Sequence, residues 1–124
     1  MADTTRETRS RGEIEADISE AIIRFEREYM GRGPEEAKTY CLHDLIIVRL
    51  QGVLTPAEKR LSGADQGAQG RALIKQVRME LIEQARPLLV ALIQDIAGRH
   101  VRSMHTDIST VTGERIVVFS LDPQ

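Results

Sequence analysis

His105, Asp107 and Ser109 are the residues whose types and spacing come closest to a chemical site. Alternate side chains of an extended segment share a face. The three would therefore stand in a row, with Asp107 placed to orient an imidazole and His43 or His100 available to join it around a metal ion. Residues two apart on a strand are nevertheless about 7 Å apart along it. That is too far for Asp107 to hold His105 without a bend, and no nucleophile motif lies nearby. The row reads first as a polar strand face and second as a ligand, metal or catalytic site. No catalytic residue is assigned, and no metal or cofactor is indicated.

Gly67-Ala68-Gln69-Gly70 offers a second chemistry. Glycines ahead of a helix can present bare amides to a phosphate, and a GxxG between two helices is the grip by which KH domains hold single-stranded nucleic acid. The order helix, two strands, helix, GxxG, helix, strand resembles the prokaryotic KH type, with Leu73 where that motif has an aliphatic residue. Against it, Gln66 stands where an aliphatic residue would precede the first glycine, and no basic residue lies between the two glycines. Ser62 to Gly70 therefore reads first as a flexible loop. A KH-like nucleic-acid module using Gly67 and Gly70 is the alternative function.

Other polar residues read as surface. Arg71, Lys75 and Arg78, with Glu80 and Glu83, have the spacing of a solvated helix face laced with ion pairs. The single Cys41 excludes an internal disulfide and reads as a small half-buried hydrophobe on a strand.

The elements that would position these groups occur twice. One amphipathic helix, with Ile14, Ile18, Ala21, Ile22, Phe25 and Tyr29 on a single stripe, closes on Gly31-Arg32 and leads into strands at 38–42 and 45–50. A longer helix, 71–97, closes on Gly98-Arg99 and leads into strands at 101–109 and 115–121. Between the halves, Thr55-Pro56-Ala57-Glu58 is a capping box with proline at the first helical position, predicting a short helix from Pro56 to Leu61. Pro87 removes one hydrogen bond from the middle of the long helix and predicts a kink or a break there. A helix plus one hairpin buries little, so the two units should be halves of one α+β fold, with a four-stranded, mostly antiparallel sheet packed by the long helix and the shorter ones.

The strands Leu45-Ile46-Ile47-Val48 and Ile116-Val117-Val118-Phe119 are apolar on both faces. Helices on one side of such a sheet would leave an apolar face wet, so a homodimer that buries it is expected. Residues 1–11 are charged and hydroxylated and read as a mobile tail, leaving 12–124 as one domain. With 41% apolar residues, 29% charged residues and a net charge of -2, the chain is a soluble globular protein that lacks the basic stripe of a nucleic-acid binder. No run approaches the roughly 18 apolar residues of a membrane span. The chain is expected in the cytoplasm, meeting any membrane only through a partner.

Four stretches carry a family resemblance: Tyr29-Met30-Gly31-Arg32-Gly33-Pro34, Leu54-Thr55-Pro56-Ala57-Glu58, Ala85-Arg86-Pro87-Leu88, and His105 to Thr110 with Thr112-Gly113-Glu114. In that order and spacing they resemble the bacterial MpsC-like family, named for the small component of a sodium-translocating membrane-potential-generating system. The resemblance implies neighbourhood to two larger membrane-linked partners tied to inorganic-carbon uptake. It implies no reaction or ligand. Together with the residues above, it gives a non-enzymatic accessory or regulatory subunit, a homodimer acting through a membrane-protein partner complex.

Overall fold

The computed structural model describes residues 9–63 and 67–123. Helix α1 (Arg11–Tyr29) takes in Arg11, which the sequence reading left in the tail. Ser10 caps it reciprocally: the Glu13 amide donates to Ser10 Oγ at 3.1 Å, and the Ser10 amide donates to Glu13 Oε1 at 3.3 Å. Past the helix end, Gly31 takes φ +85°, a left-handed conformation that favours glycine.

Strands β1 (Glu36–Leu42) and β2 (Leu45–Gln51) then form the first hairpin. Helix α2 (Pro56–Leu61) carries the expected Thr55 and Glu58 capping box. Helix α3 (Gly67–Ala97) is followed by β3 (Val101–Ile108) and β4 (Arg115–Leu121).

The two halves join into one four-stranded sheet of order β1-β2-β4-β3, antiparallel throughout. β2 and β4, the two like strands, pair at its centre from Leu45↔Ser120 to Leu50↔Arg115. Alternation places Ile46, Val48, Leu50, Val117, Phe119 and Leu121 on the face that α1 and α3 cover, and there they are buried with Ile18, Ile22, Ile82, Leu89 and Ile93 of the helices.

Of the kink or break expected at Pro87 the break does not occur, and the expected start of α3 is corrected. The helix runs unbroken past Pro87. Pro87 lies on its exposed side, while Ile82, Ala85 and Leu89 bury the opposite side on both flanks of the missing bond, and the Arg86 guanidinium donates to the Met104 carbonyl at 2.7 Å. The helix also starts at Gly67, so Gly67 and Gly70 form its opening turn rather than part of a loop, residues 64–66 lying outside the described residues. Gly70 is buried, and a Cβ there would overlap the carbonyl oxygen of Leu61. Its small size serves the close approach of α2 to α3.

The core also holds charge that the sequence reading placed in solvent. Arg78 is buried, not part of a solvated face: it forks onto Glu58, with Nε to Oε2 at 3.0 Å and Nη2 to Oε1 at 2.5 Å, and donates to the Val53 carbonyl at 3.0 Å. Burial alone would raise the Glu58 carboxyl, but hydrogen bonds from Arg78 and the Thr55 amide hold it below the ordinary value. Glu26 and Arg115 are each about 1% exposed. Arg115 donates to Thr106 Oγ1 at 2.8 Å, but its Nε and Nη2, and Glu26 Oε1, have no hydrogen-bond partner among the described residues. Burial pushes the Glu26 carboxyl up against the pull of Arg115 and Arg78, and it pushes the Arg115 guanidinium down.

Two outcomes follow from this packing. Gly70→Ala should lower the free energy of unfolding by about 1–3 kcal/mol in urea titrations, since the new methyl must displace backbone. Gly12→Ala, where a Cβ meets only Ser10 Oγ at 3.9 Å, should be neutral or slightly stabilising. A raised Glu26 contributes stability that is complete below the unfolded carboxylate value and is lost as pH rises through the folded one. Glu26→Gln should therefore gain stability relative to the unmodified protein between acid and neutral pH; a difference that does not change with pH would show that Glu26 titrates alike in the folded and unfolded chain.

Candidate functional site

The face of the sheet opposite the helices carries two of the sequence-derived candidates, His105 and Asp107. Strand register arranges it in cross-strand rows. Tyr40, Ile47, Val118 and His105 form one, Lys38, Arg49, Ile116 and Asp107 the next, and Leu42, Leu45, Ser120 and Ser103 the third. Tyr40, Leu42 and Leu45 are 40%, 49% and 39% exposed, while Ile47, Ile116 and Val118 are half-buried. The centre is apolar, with basic residues toward β1 and a carboxylate and an imidazole on β3.

His105 and Asp107 both face outward, as their alternation requires, but they do not engage each other. The His105 ring lies 3.1 Å from Ser103 Oγ. Asp107 turns toward α3, 3.1 Å from Lys75 Nζ, and also accepts from the Ile108 amide at 2.9 Å. Hydrogen bonding from Lys75, with that amide, holds the Asp107 carboxyl below its ordinary value. Ser109 lies beyond the end of β3 and organises the second hairpin turn, its Oγ accepting from the Thr112 amide at 3.1 Å and its carbonyl from the Gly113 amide at 2.8 Å.

The other histidines are elsewhere: His43 sits in the β1–β2 turn, and His100 pairs with Asp122 at 2.8 Å. Among the described residues no cluster of three or more histidine, cysteine and carboxylate side chains is placed to hold a metal ion. Gly67 and Gly70 lie in the opening turn of α3, and Gly70 packs on Leu61.

Sequence reasoning missed the cationic side of this face. Lys38 and Arg49 face each other across β1 and β2, and Arg49 is paired with Glu114, which hydrogen-bonds its Nε and raises its already high pKa. Period-two alternation through Lys38, Tyr40 and Leu42 carried the signal, since it puts all three opposite Thr39 and Cys41.

The residues behind the family resemblance are caps, turns and ties between segments. The Arg32 guanidinium donates to the Leu54 carbonyl at 2.7 Å, the Val53 amide donates to the Gly113 carbonyl at 3.2 Å, and Gly113 takes φ +76° in the second hairpin turn. Arg86 bridges Glu83 and β3.

Among the described residues no helix is long and apolar enough to cross a membrane. No solved structure matches this chain. An uncharacterized protein of Bacillus subtilis (strain 168), YbcI, is 46% identical over 113 residues, spanning 91% of this chain and 89% of that protein. The family described as a Na+-translocating membrane potential-generating system (MpsC) matches residues 10–123, essentially the whole fold, and this chain belongs to that MpsC family.

Proposed function

We propose that the chain is a non-enzymatic accessory subunit of a Na+-translocating membrane-potential-generating system, cytoplasmic and homodimeric, acting on the membrane through protein partners. The membrane-system part rests on the family match. The observation that carries an interaction role is the open face: a four-stranded sheet covered by helices on one side only, with Tyr40, Leu42 and Leu45 well exposed across its other side.

A second copy of the chain fits that face. A two-fold axis parallel to the strands and passing between β2 and β4 lays each row on the same row of the partner in reverse order. Ile47 then meets the partner's Val118, and Lys38 meets the partner's Asp107, so hydrophobic residues cover the centre and opposite charges meet at both edges. Aligned packing of two sheets has this geometry, within the usual twist of about 30°.

Static light scattering at micromolar concentration should give a particle of about twice 13.9 kDa, and Val118→Lys should give the monomer. A well-behaved monomer of the unmodified protein would sink the self-pairing. Lys38→Asp or Asp107→Lys alone should weaken association several-fold, by about 1 kcal/mol, and the double exchange should restore it. The subunit role is checked by co-expression with the membrane components of such a system: the tagged protein should recover them from detergent extracts, and repeated failure to do so would refute the reading.

A further inference from the structure

A cleft of about 540 Å³ opens at the other end of the molecule from the second hairpin turn, between the start of α1 and the end of α3, over the β1–β2 turn. It lies within the size range of small-molecule sites. Its floor is apolar, built from Ile14, Ile46, Ala97 and Leu121. Its charged lining is of one sign: Arg9, Arg11 and Arg99 contribute to it, and no carboxylate does.

The three guanidiniums are not equivalent. Arg9 is paired with Asp17. Arg99 is committed to the fold, donating to the His43 carbonyl at 3.0 Å, to Asp44 at 2.9 Å and to the Asp122 carbonyl at 2.6 Å. Arg11 is exposed, and among the described residues its side chain has no hydrogen-bond or ion-pair partner. The helix ends flanking the cleft carry opposite partial charges, the start of α1 positive and the end of α3 negative. Its preference for an anion therefore comes from the side chains.

An independent observation marks the same place. His43 has φ +52°, and it is the one non-glycine residue with positive φ among the described residues. It occupies the first position of a two-residue hairpin turn between the paired Leu42 and Leu45, where glycine or asparagine would sit with less strain. Local strain of this kind, held in place by Arg99 on the turn's carbonyl and on Asp44, gathers at functional sites. Here it sets an imidazole at the rim of a positively charged, apolar-floored cavity. Burial keeps the Cys41 thiol raised, so Cys41 lines the cleft as a neutral group.

We infer that this cleft binds an amphipathic monocarboxylate, its carboxylate held by the free Arg11 guanidinium and the His43 imidazole and its hydrocarbon body laid on the Ile14, Ile46 and Leu121 floor. One uncommitted guanidinium and one imidazole suit a monoanion better than a phosphate dianion. The guanidinium fork matches the two carboxylate oxygens.

The probe is octanoate, titrated by calorimetry into the full chain, with octanol and octyl phosphate as the other arms. Octanoate should bind saturably at one site per chain, with octanol at least tenfold weaker and octyl phosphate no tighter. Arg11→Gln and His43→Asn should each weaken octanoate severalfold. His43→Asn should leave the melting temperature of the ligand-free protein unchanged or raised, since asparagine tolerates the left-handed conformation. A fold that improves while affinity falls separates a ligand role from a structural one. Octanoate that fails to saturate in the millimolar range, octanol that binds equally well, tighter octyl phosphate, or unchanged affinity in both variants would each overturn the assignment.

Discussion

The antiparallel pairing of β2 with β4 is the contact on which the rest of the molecule depends. Each helix-plus-hairpin unit alone exposes the strand its own hairpin leaves unpaired, and an isolated two-stranded ribbon is marginal in water. Joining the like strands from Leu45↔Ser120 to Leu50↔Arg115 removes both of those edges and brings Val48 beside Val117 and Ile46 beside Phe119. All four are fully or almost fully buried. Only when these side chains are adjacent do α1 and α3 have a continuous floor to cover. The same pairing fixes the open face, because a four-stranded sheet that has taken both long helices on one side has none left for the other.

Where the sequence was legible, it was legible through periodicity. The strands read as short apolar or alternating runs bounded by turn residues, and their bounds agree with the structure to within two residues. The α2 start was fixed by Thr55, Pro56 and Glu58, whose chemistry is local. The buried charges failed for the opposite reason. Arg78 lies four residues from both Ile74 and Ile82, and Arg115 lies two from Val117, so the same periodicities placed them inside. The weight given to charge put Arg78 outside, and what reverses that weight, Glu58 on a different helix, is invisible along the chain. His105 and Asp107 share a strand face as their spacing requires, whereas Ser109 falls beyond the strand end and the Asp107 partner, Lys75, lies in another element.

The buried charges divide into a pair that is well satisfied and a pair that is not. Arg78 and Glu58 form two hydrogen bonds and share the cost of burial with the Val53 carbonyl and the Thr55 amide. This ties α2, which buries no residue of its own, to α3. Glu26 and Arg115 sit deeper, leave three polar atoms without partners among the described residues, and are shifted by burial toward their neutral forms. Replacing a pair of this second kind with apolar residues is often neutral or stabilising. Its presence in the core is therefore not explained by stability, whereas the Arg78 and Glu58 pair needs no other account.

The internal repeat also explains why the two ends of the molecule differ. Both halves follow the plan of helix, left-handed glycine and hairpin, with Gly31 and Gly98 at equivalent places. The hairpin turns diverge. The second is longer, relaxed by Gly113 at φ +76° and organised by Ser109 and Thr112, and Gly113 packs on Leu54 to tie the turn to the chain between the halves. The first is cut to His43 and Asp44, carries positive φ on a side chain that resists it, and relies on Arg99 for support. Near two-fold symmetry of the sheet sends these turns to opposite ends, and a cleft opens beside each, but only the first sets a strained side chain at its rim. A symmetric framework leaves its differences in the loops, where a change costs least.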